Sequence, residues 1–144
     1  MAHPTREAME DFASEYVRLW NEGDKEAWLA NWRRIAPGDF TMWDPVGTPP
    51  KHGIDACAAD AWDLFQKTVR FHTPEETLFI NGNELAWVMH NQFEKNGRRV
   101  TGHSIETFAF GEDGSVTIRT FYVVPGHDDP ALGEHYQTYL PDEG

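Results

Sequence analysis

Residues 84–110 read ELAWVMHNQFEKNGRRVTGHSIETFAF. Two alternating runs flank Asn96-Gly97, the dipeptide best suited to a two-residue hairpin turn, so the stretch predicts one long antiparallel hairpin. Such a turn sets Glu106 opposite Trp87, Ser104 opposite Met89 and Gly102 opposite Asn91. Because side chains alternate along a strand, Leu85, Trp87, Met89, Asn91 and Phe93 share a face with Gly102, Ser104, Glu106, Phe108 and Phe110. That face is apolar and holds a single acid.

The strands on either side follow from further turn signals. Asn81-Gly82-Asn83 turns a strand at Thr77–Ile80 into the hairpin, and Asp113-Gly114 leads to a last strand at Ser115–Val124. A two-residue turn at Asp113-Gly114 places Arg119, Phe121 and Val123 on the face of Glu106. A buried lone charge is costly, so Glu106 and Arg119 either form a plain buried ion pair or face a wet cavity. The opposite face then carries Val88, His90, His103, Ile105, Thr107, Val116, Ile118 and Tyr122. It is too apolar for bare solvent and predicts a homodimer through the outer sheet face, where His90 and His103 are interface residues rather than metal ligands.

Upstream the period changes. Met9, Phe12, Ala13, Tyr16, Leu19 and Trp20 recur at helical spacing, with Gly23 as a stop. Asp24 caps a second helix carrying Trp28, Leu29 and Trp32, which Pro37-Gly38 ends. Phe40 to Trp43 is a short strand, and Asp55 is the expected cap of a third helix with Ala58, Ala61, Trp62 and Phe65. The expected architecture is α+β, with three helices on one side of a curved antiparallel sheet. It forms a single domain over residues 1–125. The polar tail, 126–144, is either solvated or folded over the pocket mouth. Its His127, Asp128, Asp129, Glu134 and His135 fit no standard metal spacing.

Between the first strand and the third helix runs MWDPVGTPPKHG, residues 42–53. The residue before a proline is driven toward extended geometry, so Asp44 ends its strand with a fixed direction, opposite to Trp43. A carboxylate held rigidly among aromatics suits proton transfer near neutral pH. The alternative is a turn aspartate bonding its own backbone. Tyr16 is open in the same way, as a core ring or as a hydroxyl at a pocket edge.

Composition narrows the function. A formal net charge of −12 argues against nucleic acid and anionic membranes as partners. Six tryptophans exceed the needs of a small core and point to a cavity for a flat apolar or aromatic substrate. With Cys57 the only cysteine, neither an intrachain disulfide nor a cysteine metal site is available. No apolar signal core or membrane span occurs, so a cytoplasmic location is expected. No Gly-rich phosphate loop or nucleophile elbow is present, and no cofactor is expected.

Three segments carry a resemblance: Tyr16-x-x-Leu19-Trp20-Asn21-x-Gly23-Asp24, Asp44-Pro45-x-Gly47-x-Pro49-Pro50-x-x-Gly53, and Ile105-Glu106-x-x-x-Phe110-x-x-x-Gly114. In this order, across residues 5–125, the chain resembles the ketosteroid isomerases of the nuclear transport factor 2-like (SnoaL-like) superfamily. The resemblance implies a cone-shaped fold and a cofactor-independent isomerase that shifts a proton through an enolate-like intermediate. It implies Asp44 as general base, Tyr16 as oxyanion donor, and Glu106 in the place of a second, protonated donor. Glu106 stands where the family has an aspartic acid, and Arg119 where it has an apolar residue. Trp32 and Ala61-Trp62 replace its supporting tyrosines. Asp44, Tyr16, Glu106 and Arg119 are thus the expected catalytic set. Trp20, Trp32, Trp62, Trp87, Met89, Asn91 and Phe121 are the expected substrate contacts. Lyase, dehydratase and polyketide cyclase chemistry, or ligand binding without catalysis, are the alternatives.

Overall fold

A computed structural model describes residues 2–123. Its elements are α1 (Arg6–Glu22), α2 (Lys25–Ile35), β1 (Phe40–Trp43), β2 (Lys51–His52), α3 (Asp60–Phe65), β3 (Val69–His72), β4 (Leu78–Asn81), β5 (Glu84–Lys95), β6 (Arg98–Phe110) and β7 (Val116–Tyr122). The seven strands form one sheet in the order β2-β1-β7-β6-β5-β3, and β4 also pairs with β5. The sheet is mixed rather than wholly antiparallel, because β1 lies parallel to β7. The polar tail 126–144 and Val124 lie outside the described residues. No helix among the described residues is long and apolar enough to cross a membrane.

Helix boundaries follow local chemistry. The Thr5 side chain accepts from Ala8 N to open α1, and Gly23 closes it at φ 79°, donating to Leu19 and Trp20 carbonyls. Asp24 caps α2 by accepting from Ala27 N, as its position predicts. The third helix differs from expectation. Asp55 is not its cap but the first residue of a wide π turn, Asp55–Ala59, that runs into α3, and no side chain caps either segment.

Asn96 and Gly97 both take positive φ, 54° and 75°, as a type I′ turn requires. The β5–β6 register is the expected one, with Trp87 opposite Glu106 and Met89 opposite Ser104. Leu85, Trp87, Met89, Phe108 and Phe110 on that face are all essentially inaccessible. With Met9, Phe12, Trp20 and Trp28 from the helices they make the core.

The next hairpin departs from expectation by one residue. Phe110 pairs with Val116, so the loop between them has five residues and Glu106 faces Thr120. Two contacts set this length. Asp113 Oδ1 accepts from Ser115 N at 3.1 Å, and Gly111 N donates to Ser115 O at 2.9 Å. Gly38 N also donates to Gly114 O at 2.8 Å, and a Cβ on Gly38 would come within 2.9 Å of Asp113 O. A one-residue shift inverts every side chain of a strand. Val116, Ile118, Thr120 and Tyr122 therefore point inward, while Arg119 and Phe121 point outward. The outer face keeps Val88, His90, His103, Ile105 and Thr107 from the expected set. There Phe121 pairs with Ile105, and the rings of His72, His90 and His103 lie in a row across β3, β5 and β6.

Strand β3 goes beyond the expected elements, since its four residues carry only Val69 and Phe71 as apolar signal. It pairs with β5 along one edge. Along the other, the Asn21 amide mimics a strand, accepting from Phe71 N at 2.9 Å and donating to Phe71 O at 2.8 Å.

Candidate active site

The first wall of the site is the segment after β1. Met42 is buried and Trp43 half-buried, on opposite sides of the strand. The peptide bond between Asp44 and Pro45 is cis. Two hydrogen bonds fix the run that follows: Val46 N to Thr120 O at 2.9 Å, and Thr48 Oγ1 to Pro45 O at 2.7 Å. Asp44 is thereby held against β7, and its Oδ1 accepts from the Tyr122 hydroxyl at 2.8 Å. It lines a cavity bounded by α1, α2, the third helix and the inner sheet face.

Tyr16, Trp20, Trp32, Asn91 and Glu106 share that cavity with Asp44. Tyr16 is only 8% exposed and is surrounded by aromatic rings, with Trp87 at 5.1 Å and Trp28 at 5.2 Å between centroids. Asn91 is oriented by its own bond, Nδ2 to Ser104 Oγ at 3.1 Å. At Glu106, Trp87 Nε1 donates to Oε2 at 2.7 Å. An indole N–H only donates, so Oε2 is the acceptor in this bond.

Burial pushes the Glu106 carboxyl up from its ordinary 4.5 to about 7. The Trp87 hydrogen bond pulls it down, and the nearby charge of Asp44 pushes it up again. The cavity thus holds two carboxyl groups, Asp44 and Glu106, and Glu106 keeps its proton close to neutrality. At its edge, burial lowers the Lys51 ammonium, an effect opposed by attraction to Asp44, Cys57 and Asp60. Burial drives the Cys57 thiol up to about 11, so it lines the cavity as a neutral group.

Several sequence expectations need correction. Arg119 does not reach Glu106: the β7 register turns it outward, where its guanidinium lies 5.0 Å from the centre of the Trp43 ring. Phe121, 44% exposed, is on the same outer face. Trp62, Trp87 and Met89 stand behind the cavity wall. Trp62 packs on Trp20 and Trp28, Trp87 reaches the site through Glu106, and Met89 Sδ accepts from Thr73 Oγ1.

The sequence reading missed Tyr122, Thr120, Cys57, Phe71 and Ile118 on the wall. A signal for the β7 residues existed. Burying Arg119 and Phe121 left Val116 and Ile118 outside, against the ordinary preference of these types.

The sequence profile of the SnoaL-like domain family matches residues 13–118. No curated protein matches the chain. Solved structures do. The epoxide hydrolase/cyclase-like enzyme SalBIII, which has a role in pyran ring formation in the polyether salinomycin, is similar with a TM-score of 0.62. Identity is 21%, over 78% of this chain and 88% of that one. A protein described as a SnoaL-like polyketide cyclase, from Jannaschia sp. CCS1, gives 0.54 at 16% identity, over 78% and 85%. Rd1NTF2_04, with a long sheet, gives 0.54 at 15% identity, over 78% and 98%. At these identities the likeness is one of fold.

Proposed function

The chain belongs to the SnoaL-like domain family, within the nuclear transport factor 2-like superfamily, and from that premise we propose that it is a cofactor-independent acid–base isomerase. Its substrate is a flat, neutral, apolar ketone. Asp44 removes a proton from carbon beside the carbonyl, giving an enolate-like intermediate, and returns it to a second carbon. Tyr16 and the neutral Glu106 donate hydrogen bonds to the oxygen on which negative charge develops. The observation that carries this reading is the pairing, in one apolar cavity, of Asp44 with a Glu106 held near neutrality. A neutral substrate is favoured because Asp44 repels anions and the chain as a whole is acidic.

A second reading rests on the value near 7. A group that only donates a hydrogen bond gains nothing from titrating there, whereas one that gives up its proton does. In a cyclase on the same frame, Asp44 would take the proton of the attacking hydroxyl while Glu106 protonates the oxygen that becomes a hydroxyl; in a lyase, Asp44 would take a proton from carbon while Glu106 protonates the departing oxygen.

The test is exchange of α-hydrogens in deuterium oxide, with a β,γ-unsaturated ketosteroid, read together with the absorbance of the conjugated enone. Asp44→Asn should lower exchange by roughly 100-fold or more, the scale of a lost general base. Exchange undiminished in that variant would remove Asp44 from the chemistry. Exchange without enone formation would favour the second reading.

A further inference from the structure

The inward positions Leu85, Trp87, Met89 and Phe93 of β5 are apolar and buried. Asn91 breaks the row. It is 7% exposed and lies in register between Phe71 of β3 and Gly102 of β6. An amide placed in an apolar row costs free energy unless its polar atoms are satisfied. Its Nδ2 donates to Ser104 Oγ at 3.1 Å, which satisfies one half of it.

The other half is Oδ1, to which no group among the described residues donates. It is not sealed off either, because Trp32 Nε1 is the one buried side-chain nitrogen or oxygen among those residues that lacks a partner. Asn91 Oδ1 is therefore accessible. Since Asn91 points inward and lines the cavity, the cavity is what reaches this oxygen. The bond to Ser104 fixes the amide plane and turns the oxygen away from Ser104. A serine–asparagine pair that served packing alone could be exchanged for two apolar side chains of the same shape at little cost. No apolar pair holds a fixed acceptor toward the cavity.

We propose that Asn91 Oδ1 is a ligand-reading acceptor, which takes a hydrogen bond from a hydroxyl at the far end of the molecule seated in the cavity. Glu106 stands opposite Trp87, and Asn91 lies four residues further along β5, roughly 13 Å away at about 3.3 Å per residue. The two side chains thus mark the ends of one wall. The bound class is a flat ketone of two or more fused rings, with an alcohol or phenol hydroxyl remote from the carbonyl. The acceptor is uncharged and stands beside Phe71, which suits a neutral hydroxyl better than an ion. The inference rests on the proposed function for the carbonyl at Tyr16 and Glu106, and it adds the second end of the substrate.

The probes are 6-acetyl-2-naphthol, its methyl ether and 2-acetylnaphthalene. They share the ketone and carry a hydroxyl, a methoxyl or a hydrogen at the other end. Binding is followed by naphthalene fluorescence at pH 6, where the naphthol is un-ionised. Wild type should bind the naphthol roughly 5- to 10-fold more tightly than either analogue, the worth of one hydrogen bond, and Asn91→Leu should bring the naphthol and 2-acetylnaphthalene within about twofold. Should that variant not fold, 13C-asparagine-labelled wild type supplies the readout. Its Asn91 side-chain carbonyl, identified by the change Ser104→Ala makes to it, should shift saturably with the naphthol and not with the ether. Equal binding of the naphthol and 2-acetylnaphthalene to wild type overturns the proposal, as does a lack of saturable naphthol binding. So does a preference kept in Asn91→Leu, or an unmoved Asn91 carbonyl, either of which assigns the hydroxyl to another wall group. An ether that binds as tightly as the naphthol also overturns it, because the amide would then be donating. These outcomes are separate from the chemistry. Undiminished exchange in Asp44→Asn sinks the isomerase reading and leaves the Asn91 contact standing, whereas a missing hydroxyl preference sinks the contact alone.

Discussion

The Tyr122 hydroxyl donates to Asp44 Oδ1 at 2.8 Å, joining the end of β7 to the segment after β1 across 78 positions of the chain. It holds the carboxylate in one orientation toward the cavity. Tyr122→Phe should therefore lower exchange roughly tenfold, the scale of a hydrogen bond to a charged group. An unchanged exchange rate would show that the hydroxyl plays no part in preparing the base.

Glu106 sets the alkaline side. It donates only while protonated, and burial holds its titration at about 7. Exchange should fall as pH rises through that value. Trp87→Phe removes the bond that draws the carboxyl downward, so the alkaline limb should move to higher pH. Glu106→Gln keeps an N–H donor and a carbonyl for Trp87 but cannot titrate. Under the isomerase reading it retains substantial activity without an alkaline limb, whereas under the proton-donor reading it is inactive. The pH–rate curves of the three proteins decide between them.

The same group links pH to stability. Its folded value lies above the ordinary 4.5, so folding favours the protonated form. The contribution is complete below pH 4.5 and is lost as pH rises through about 7. Full ionisation costs up to about 3 kcal/mol, given that a tenfold change in proton affinity is worth about 1.4 kcal/mol. Urea unfolding at pH 5 and pH 8.5 should show wild type losing stability across this window more than Glu106→Gln. Parallel behaviour of the two would place the titration elsewhere.

Arg119 lies outside, over Trp43. Arg119→Ala should leave exchange and its pH profile unaltered and cost no more than about 1 kcal/mol, the range of an exposed cation–π contact. A large loss of activity with unchanged melting temperature would contradict the outward register of β7.

What the sequence discloses follows the strength of its local signals. Asn96-Gly97 admits one turn geometry, and the long alternating strands beside it can bury only one face, so the hairpin and Glu106 are legible together. The helical stripe through Tyr16 and Trp20 is equally plain. Asp113-Gly114 is weaker, because the same residues serve a two-residue turn or part of a five-residue loop. The five-residue loop is held by the contacts of Ser115 with Asp113 and Gly111, and Gly38, distant in sequence, docks on Gly114 beside them. That single ambiguity hides Tyr122. Strand β3 is hidden differently: half of its edge bonding comes from the side chain of Asn21, which no periodicity reports.

The five-residue loop between β6 and β7 has a consequence for divergence. Deleting one codon between Phe110 and Val116 while keeping a five-residue loop would shift β7 by one residue and set Glu106 opposite Phe121. Thr120 and Tyr122 would leave the cavity, and Arg119 and Phe121 would enter it. Asp44 would lose its hydroxyl partner, and Glu106 would gain a cation and give up its proton. The length of one surface loop thus decides whether Glu106 faces a hydroxyl-bearing strand or a cation.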